Sequence, residues 1–204
     1  MIDKILSMLE KIIVNVLMAL YEPFWFSIIL TVFVLFFLMY AKEKGLKKLI
    51  HMWIYNFKTS YKFRRMFLLI FYTTMILFRT LLNRNMWLNP LSNIFGSWWI
   101  YNKNGDLTTD AIENLILFIP FIILLLWAMR DKLIKEMKLK YVIFIAFKIT
   151  FIFSLSIEFL QLFLRLGTFQ FSDLFYNTLG GVIGGILYWF QYKIKRYNKF
   201  RNIK

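Results

Sequence analysis

From Tyr141 to Leu164 the chain is almost wholly apolar, and its only charges are Lys148 and Glu158. A carboxylate set so deep in an apolar segment is costly, and in a bilayer it marks a functional position by default. Glu158 shares one helix face with Gln161 and Arg165, at i, i+3 and i+7. Asp173, Asn177, Gly180, Gly181, Gly184 and Gly185 follow at spacings near 3, 4 and 7. The next helix therefore has a polar start and a small-residue face that lets another helix come close. The stretch Ser154–Gly185 predicts a helical hairpin whose polar side looks into the protein.

Composition sets the class. The 204 residues are 60% hydrophobic and 21% aromatic, and the mean hydropathy of +0.59 is that of a membrane protein. With no Cys, disulfides, thiolate metal sites and Cys nucleophiles are excluded. The single His, His51, leaves no His-based triad or His-rich metal site and reads as an interfacial polar residue, so no metal and no cofactor is expected. The net charge of +15 points to cytoplasmic loops and anionic lipid headgroups, not to nucleic acid.

The expected fold class is all-α: a polytopic helical membrane protein with five firm transmembrane helices plus an N-terminal amphipathic or sixth helix. Residues 2–20 carry Ile2, Ile5, Leu6, Leu9, Ile13, Val16, Leu17 and Leu20 at helical period, with Lys4, Ser7 and Lys11 on the other side. They either lie in the interface or span. The five spans are Phe24–Met39, Met66–Leu82, Asn114–Met129, Tyr141–Leu164 and Leu174–Phe190. Pro120 inside the third is a structural kink. Between the first two, Leu46, Leu49, Ile50, Trp53, Ile54 and Phe57 form an apolar stripe largely opposite Lys47, Lys48, His51 and Lys58. That is a basic amphipathic helix for a membrane surface. Residues 84–113 form a mixed loop with Asn89-Pro90, a Trp98–Tyr101 aromatic cluster that reads as interface anchors, a turn at Asn102–Asp106 and a cap at Thr108-Thr109-Asp110. The chain divides into 1–65 (N-terminal helix, first span and basic helix), a four-helix membrane domain at 66–192, and a basic tail at 193–204.

Charge bias gives the orientation. Segments 42–65, 130–140 and the tail hold eight, five and six of the 26 Lys/Arg, whereas loops 84–113 and 165–173 hold two and one. The basic segments, including the C-terminus, are then cytoplasmic and the sparse loops outside. Lys47, Lys48 and the tail are expected to meet anionic headgroups. This topology lets Arg79, Asn114, Glu158, Gln161, Arg165, Asp173 and Asn177 converge on one outward-open cavity as a ligand-binding set. The plainer alternative makes Glu158 half of a buried ion pair with Arg79 or Arg165, and the glycine face simple packing.

Several of these residues also carry a resemblance. The run Asn114-Leu-Ile-Leu-Phe-Ile-Pro-Phe121, then Ser156-Ile-Glu158-Phe-Leu-Gln161, then Asp173 with Asn177-Thr-Leu-Gly180-Gly181 and Gly184, preceded by Asn89-Pro90, resembles the VanZ family over roughly residues 66–190. The resemblance implies a small integral membrane protein of the bacterial cell envelope, located in the plasma membrane and associated with antibiotic resistance to teicoplanin and related lipoglycopeptides. Three positions depart from the family. Ile122 stands where Gly often follows the Pro-Phe pair, and Gly167 and Gln170 stand where a base and an acid often precede the Asp, with Arg165 as a substitute base.

Two function classes follow. A binding or shielding module would hold an envelope headgroup, such as a cell-wall precursor or lipid phosphate, with arginines suited to oxyanions. A membrane-embedded enzyme would use Glu158 and Asp173 as an acid–base pair on a lipid-linked envelope substrate. The binding module is preferred, because no Ser-His pair, metal-ligand cluster or phosphate-cradling loop accompanies the carboxylates. No inverted repeat supports a transporter. The topology is open to direct test, since the chain has no native Cys. A single Cys at Asn104 should label with an impermeant reagent on intact cells and one at Lys135 should not; the opposite pattern would reverse the orientation.

Overall fold

The structure, a computed structural model, describes residues 2–40, 45–84, 86–98 and 108–201. These form seven α-helices and a π-helical turn, with no strand among the described residues: α1 (Ile2–Tyr21), α2 (Phe24–Tyr40), α3 (Leu46–Thr59), α4 (Tyr61–Leu77), the π turn (Phe78–Leu82), α5 (Asp110–Leu133), α6 (Leu139–Leu164) and α7 (Phe171–Arg201). The Asn102–Asp106 turn and Trp99–Tyr101 of the aromatic cluster lie outside the described residues.

Three of the described helical segments, not five, are long and apolar enough to cross a membrane: Tyr61–Leu82, Asp110–Leu133 and Leu139–Leu164. Phe24–Met39 is apolar but short. Helix α2 has 17 residues, or about 26 Å at the helical rise, against a hydrocarbon core of about 30 Å. Helix α7 falls short for another reason. Its Leu174–Phe190 stretch is diluted by Asn177, Thr178 and four glycines, and the helix then runs on through the basic residues of the tail to Arg201.

Polar side chains turn inward and apolar ones outward. Thr31, Thr150, Ser154, Glu158, Gln161, Asn177 and Thr178 are buried, while Ile29, Phe33, Phe37, Phe144, Phe147, Phe163 and Phe190 are exposed. That is the distribution expected where the surroundings are lipid and polar groups must be satisfied inside. A buried apolar cluster of Ile76, Phe118, Ile122, Leu126, Val142, Ala146 and Ile157 joins α4, α5 and α6. Below Pro120, which gives no N–H to the Ile116 carbonyl, the Tyr72 hydroxyl donates to the neighbouring Leu117 carbonyl at 2.9 Å.

Helix α7 wedges between α5 and α6 through its glycines. A Cβ at Gly180 or Gly184 would overlap the carbonyl oxygens of Leu115 and Ile119 on α5. On the other side, Gly181 and Gly185 abut Thr150 and Ala146 of α6. At the other flank, α3 seats Leu49 and Trp53 inward, with Trp53 stacked on Phe36 and Phe57. Ile50, Ile54 and Phe57 of its expected stripe stay exposed, as does His51. Helix α1 leaves Ile5, Leu6, Leu9, Ile13 and Leu17 exposed and meets α5 through the face that carries Asn15.

Replacing Gly180 or Gly184 with Val should therefore destabilise the detergent-solubilised protein by at least about 1–3 kcal/mol, because the obstructing atoms are backbone and cannot rotate away. Unchanged thermal stability of both variants would rule out the close approach of α7 to α5.

Candidate functional site

The polar residues gather where α4, α5, α6 and α7 meet the loops 83–98 and 165–170. The π turn is the first device there. The Asn83 amide donates to Phe78 across five residues, at 2.9 Å. The widened turn leaves the Thr80 carbonyl accepting from Nε2 of Gln161 on α6 at 2.8 Å. Gln161 is 3% exposed. It thus joins α6 to the end of α4, as a buried amide must if its donors are to be satisfied.

Glu158 is 2% exposed. Its Oε2 accepts the backbone N–H of Gln170 at 2.8 Å, so the 165–170 loop folds over it. Gln170, where the resemblance leads one to look for an acid, thus serves through its amide. Asp173 opens α7 beside Asn114 of α5 and close enough to Glu158 for the two carboxyl groups to interact. The cation that faces both is Arg84. Its guanidinium also lies by Gly167, whose φ of +150° and buried position let the loop pass close beneath it. Asn177 is buried one turn below Asp173. It donates to Ser154 Oγ at 2.9 Å, and its own Oδ1 has no hydrogen-bond partner among the described residues.

Two loops strap the top of this cluster. The Trp87 amide donates to the Arg165 carbonyl at 2.8 Å, Phe169 to Pro90 at 3.0 Å and Phe171 to Ile94 at 2.8 Å. Gly96, at φ +71°, lets the strap close on α7, since a Cβ there would overlap Ser172 Oγ. Asn89-Pro90 therefore acts as a brace for the site loop.

A second polar cluster lies alongside. Arg79 forms an ion pair with Glu113 at 2.5 Å. Asn15 of α1 donates to Glu113 at 2.7 Å, and the Thr109 hydroxyl also bonds to Glu113. Thr109 holds the N-cap position of α5 but spends its hydroxyl on Glu113 rather than on a backbone amide. A cavity of about 400 Å³ opens here, lined by Asn15, Met18, Glu22, Arg79, Asn83, Arg84, Asp110 and Glu113. A narrower apolar cavity of about 120 Å³ adjoins it, sharing Arg79 and Glu113 and walled by Val16, Leu20 and Pro120.

Of the seven expected ligand-binding residues, Asn114, Glu158, Gln161, Asp173 and Asn177 come together as the buried cluster. Arg79 sits in the neighbouring cavity. Arg165 does not join either. It is the left-handed C-cap of α6, at φ 55°, with an exposed side chain. Neither ion pair expected for Glu158 forms: Arg79 is taken by Glu113, and Arg165 faces away. Arg84, which the sequence reading passed over, supplies the positive charge to both regions. Its sequence signal was its place just past the C-terminal end of the apolar segment Tyr61–Leu82. Among the described residues no three His, Asp or Glu side chains come together as metal ligands would.

An all-helical chain that turns its apolar side chains out and collects its polar ones at one end of the helices is a small helical membrane protein. Its family is VanZ/LLP1. That family's model matches residues 24–192, and the chain belongs to it. The match takes in α2 and α3, which the motifs within 66–190 did not reach. Comparison with curated proteins and with solved structures gave no match.

The pairing is testable by double-mutant cycles in detergent. Arg79→Met and Glu113→Gln should couple by about 1–3 kcal/mol, whereas Arg79→Met and Glu158→Gln should add to within about 0.5 kcal/mol. Strong coupling of Arg79 to Glu158 would restore the pairing that the sequence suggested.

Proposed function

We propose that this VanZ-family membrane protein binds a polar headgroup of a cell-envelope molecule at the Arg79–Arg84 cavity and so contributes to resistance against teicoplanin-type lipoglycopeptides. The ligand is a phosphate- or carboxylate-bearing headgroup of a cell-wall precursor or envelope lipid. By the charge bias of its loops the chain crosses the plasma membrane several times, with the cavity outside and the C-terminus in the cytoplasm. The observation that carries the proposal is the 400 Å³ polar cavity with two arginines on its wall. Guanidinium forks suit phosphate and carboxylate oxygens, and the adjoining apolar slot suits the first methylenes of a lipid-linked ligand. Behind Arg84, Glu158 and Asp173 lie within electrostatic range of its guanidinium.

One observation favours a second reading. Glu158 and Asp173 lie close enough to interact, as an acid–base pair on a lipid-linked substrate must. Against it, Glu158 is buried beneath the 165–170 loop and already accepts a backbone amide. A substrate would have to displace that loop.

Expressed in a teicoplanin-susceptible bacterium, the chain should raise the minimum inhibitory concentration. Arg84→Gln should abolish the rise with membrane abundance unchanged. Glu158→Gln, which keeps shape and a hydrogen-bonding end but removes the carboxyl group, should lower resistance at normal abundance because it changes the electrostatic surroundings of Arg84. Full resistance in both variants, or none from the parent chain, would defeat the binding proposal. Release of a modified envelope lipid by the parent and not by Glu158→Gln would favour the enzyme.

A further inference from the structure

At the opposite ends of α5 and α7 from Glu158 lies the largest cavity described, about 520 Å³, whose basic side chains play no part in the site above. Three helices supply them: Lys62 and Arg65 from the start of α4, Arg130 and Lys132 from the end of α5, and Lys195 from α7. The single acid in the lining, Asp131, is largely exposed and held by its neighbour Arg130 through Nε at 2.8 Å. The walls are aromatic. The Arg65 guanidinium sits 4.9 Å from the Trp127 ring centre and that of Arg130 5.4 Å from the Tyr192 ring. Tyr61 and Tyr188 complete the cage.

Charges of one sign repel, so five cations around one cavity need a reason. Arg130 and Lys132 have one already, since they lie in the last turn of α5 and offset its negative dipole end. For Lys62, Arg65 and Lys195 the charge bias expected of cytoplasmic segments accounts for the sign, but not for their meeting around one cavity. Arg65 is the telling residue. Its Nε is buried without a hydrogen-bond partner among the described residues, and the bond from Nη1 to the Trp127 carbonyl is long, at 3.4 Å. A guanidinium stacked on Trp127 and short of acceptors is pre-organised for an oxyanion.

We propose that this cavity is a phosphate site that takes the phosphate group of an anionic phospholipid headgroup. Its volume suits a small ligand, and basic pockets between membrane helices on one face are suited to phospholipid headgroups. Continuation of α7 as a helix past Phe190 carries Lys195 to the cavity, where an unstructured tail would have left it free. The site is distinct from Lys47 and Lys48 on α3, which offer only a charged surface.

The test uses the full chain in a neutral detergent, with phosphatidylglycerol as probe and native mass spectrometry as readout. One lipid per chain should be retained. Arg65→Gln combined with Lys195→Gln should weaken retention by about tenfold, and Lys47→Gln with Lys48→Gln, an equal loss of charge, by less than about twofold. Lys62→Gln with Lys195→Gln, both exposed, repeats the test without disturbing the Arg65–Trp127 stack. Displacement of the lipid by inorganic phosphate would show that the phosphate alone is recognised, whether free or lipid-borne; resistance to displacement would assign the site to the lipid. Equal weakening by the cavity and α3 variants, or none by either cavity pair, would overturn the proposal.

Discussion

The close contact of α7 with α5 holds the candidate site together. Only glycine at positions 180 and 184 lets the two backbones meet, since any side chain there would strike a carbonyl that cannot move. In a lipid environment no hydrophobic force drives helices together, so such close packing must supply much of the attraction. Its effect reaches one and two turns away. With α7 pressed on α5 and α6, Asp173 meets Asn114 and Asn177 meets Ser154. The small face positions the polar start of the helix.

Burying these groups carries a cost that local structure offsets. Glu158 has a backbone amide from the 165–170 loop, Gln161 the carbonyl freed by the π turn, and Glu113 three partners: Asn15 of α1, Arg79 of the π turn and Thr109, the N-cap of α5. Buried polar groups that meet partners on other helices set helix register, because any slip would strand them. Two clusters result where one cavity was expected. The ion pair of Arg79 with Glu113 faces the open cavity, and the carboxylates behind Arg84 are shut beneath the strapped loops.

The two ends of the helices differ in chemistry. One mixes acids, amides and arginines, with Glu113 paired to Arg79 and Glu22 bonded to Asn83. The other collects cations against aromatic rings with a single exposed acid. Aromatic faces stabilise guanidinium groups without neutralising them, so the charge there remains available to an anion.

The helical class, the polar strip of α6 and the small face of α7 were legible in the sequence, because periodicity alone decides which residues share a helix face. Membrane composition and the VanZ resemblance were legible too: the first needs only the residue count and the second only the residue order. Which cation faces Glu158 was not. The sequence offered Arg79 and Arg165, and the outcome depends on the widened π turn, the left-handed cap at Arg165, whose side chain is exposed, and the presence of Glu113 beside Arg79. The basic cavity was hidden as well, since its cations lie more than sixty residues apart and meet only because three helix ends do. A single strand of sequence reports which side chains lie on one helix face. Which faces meet is decided by contacts between helices, and those exist only in the packed chain.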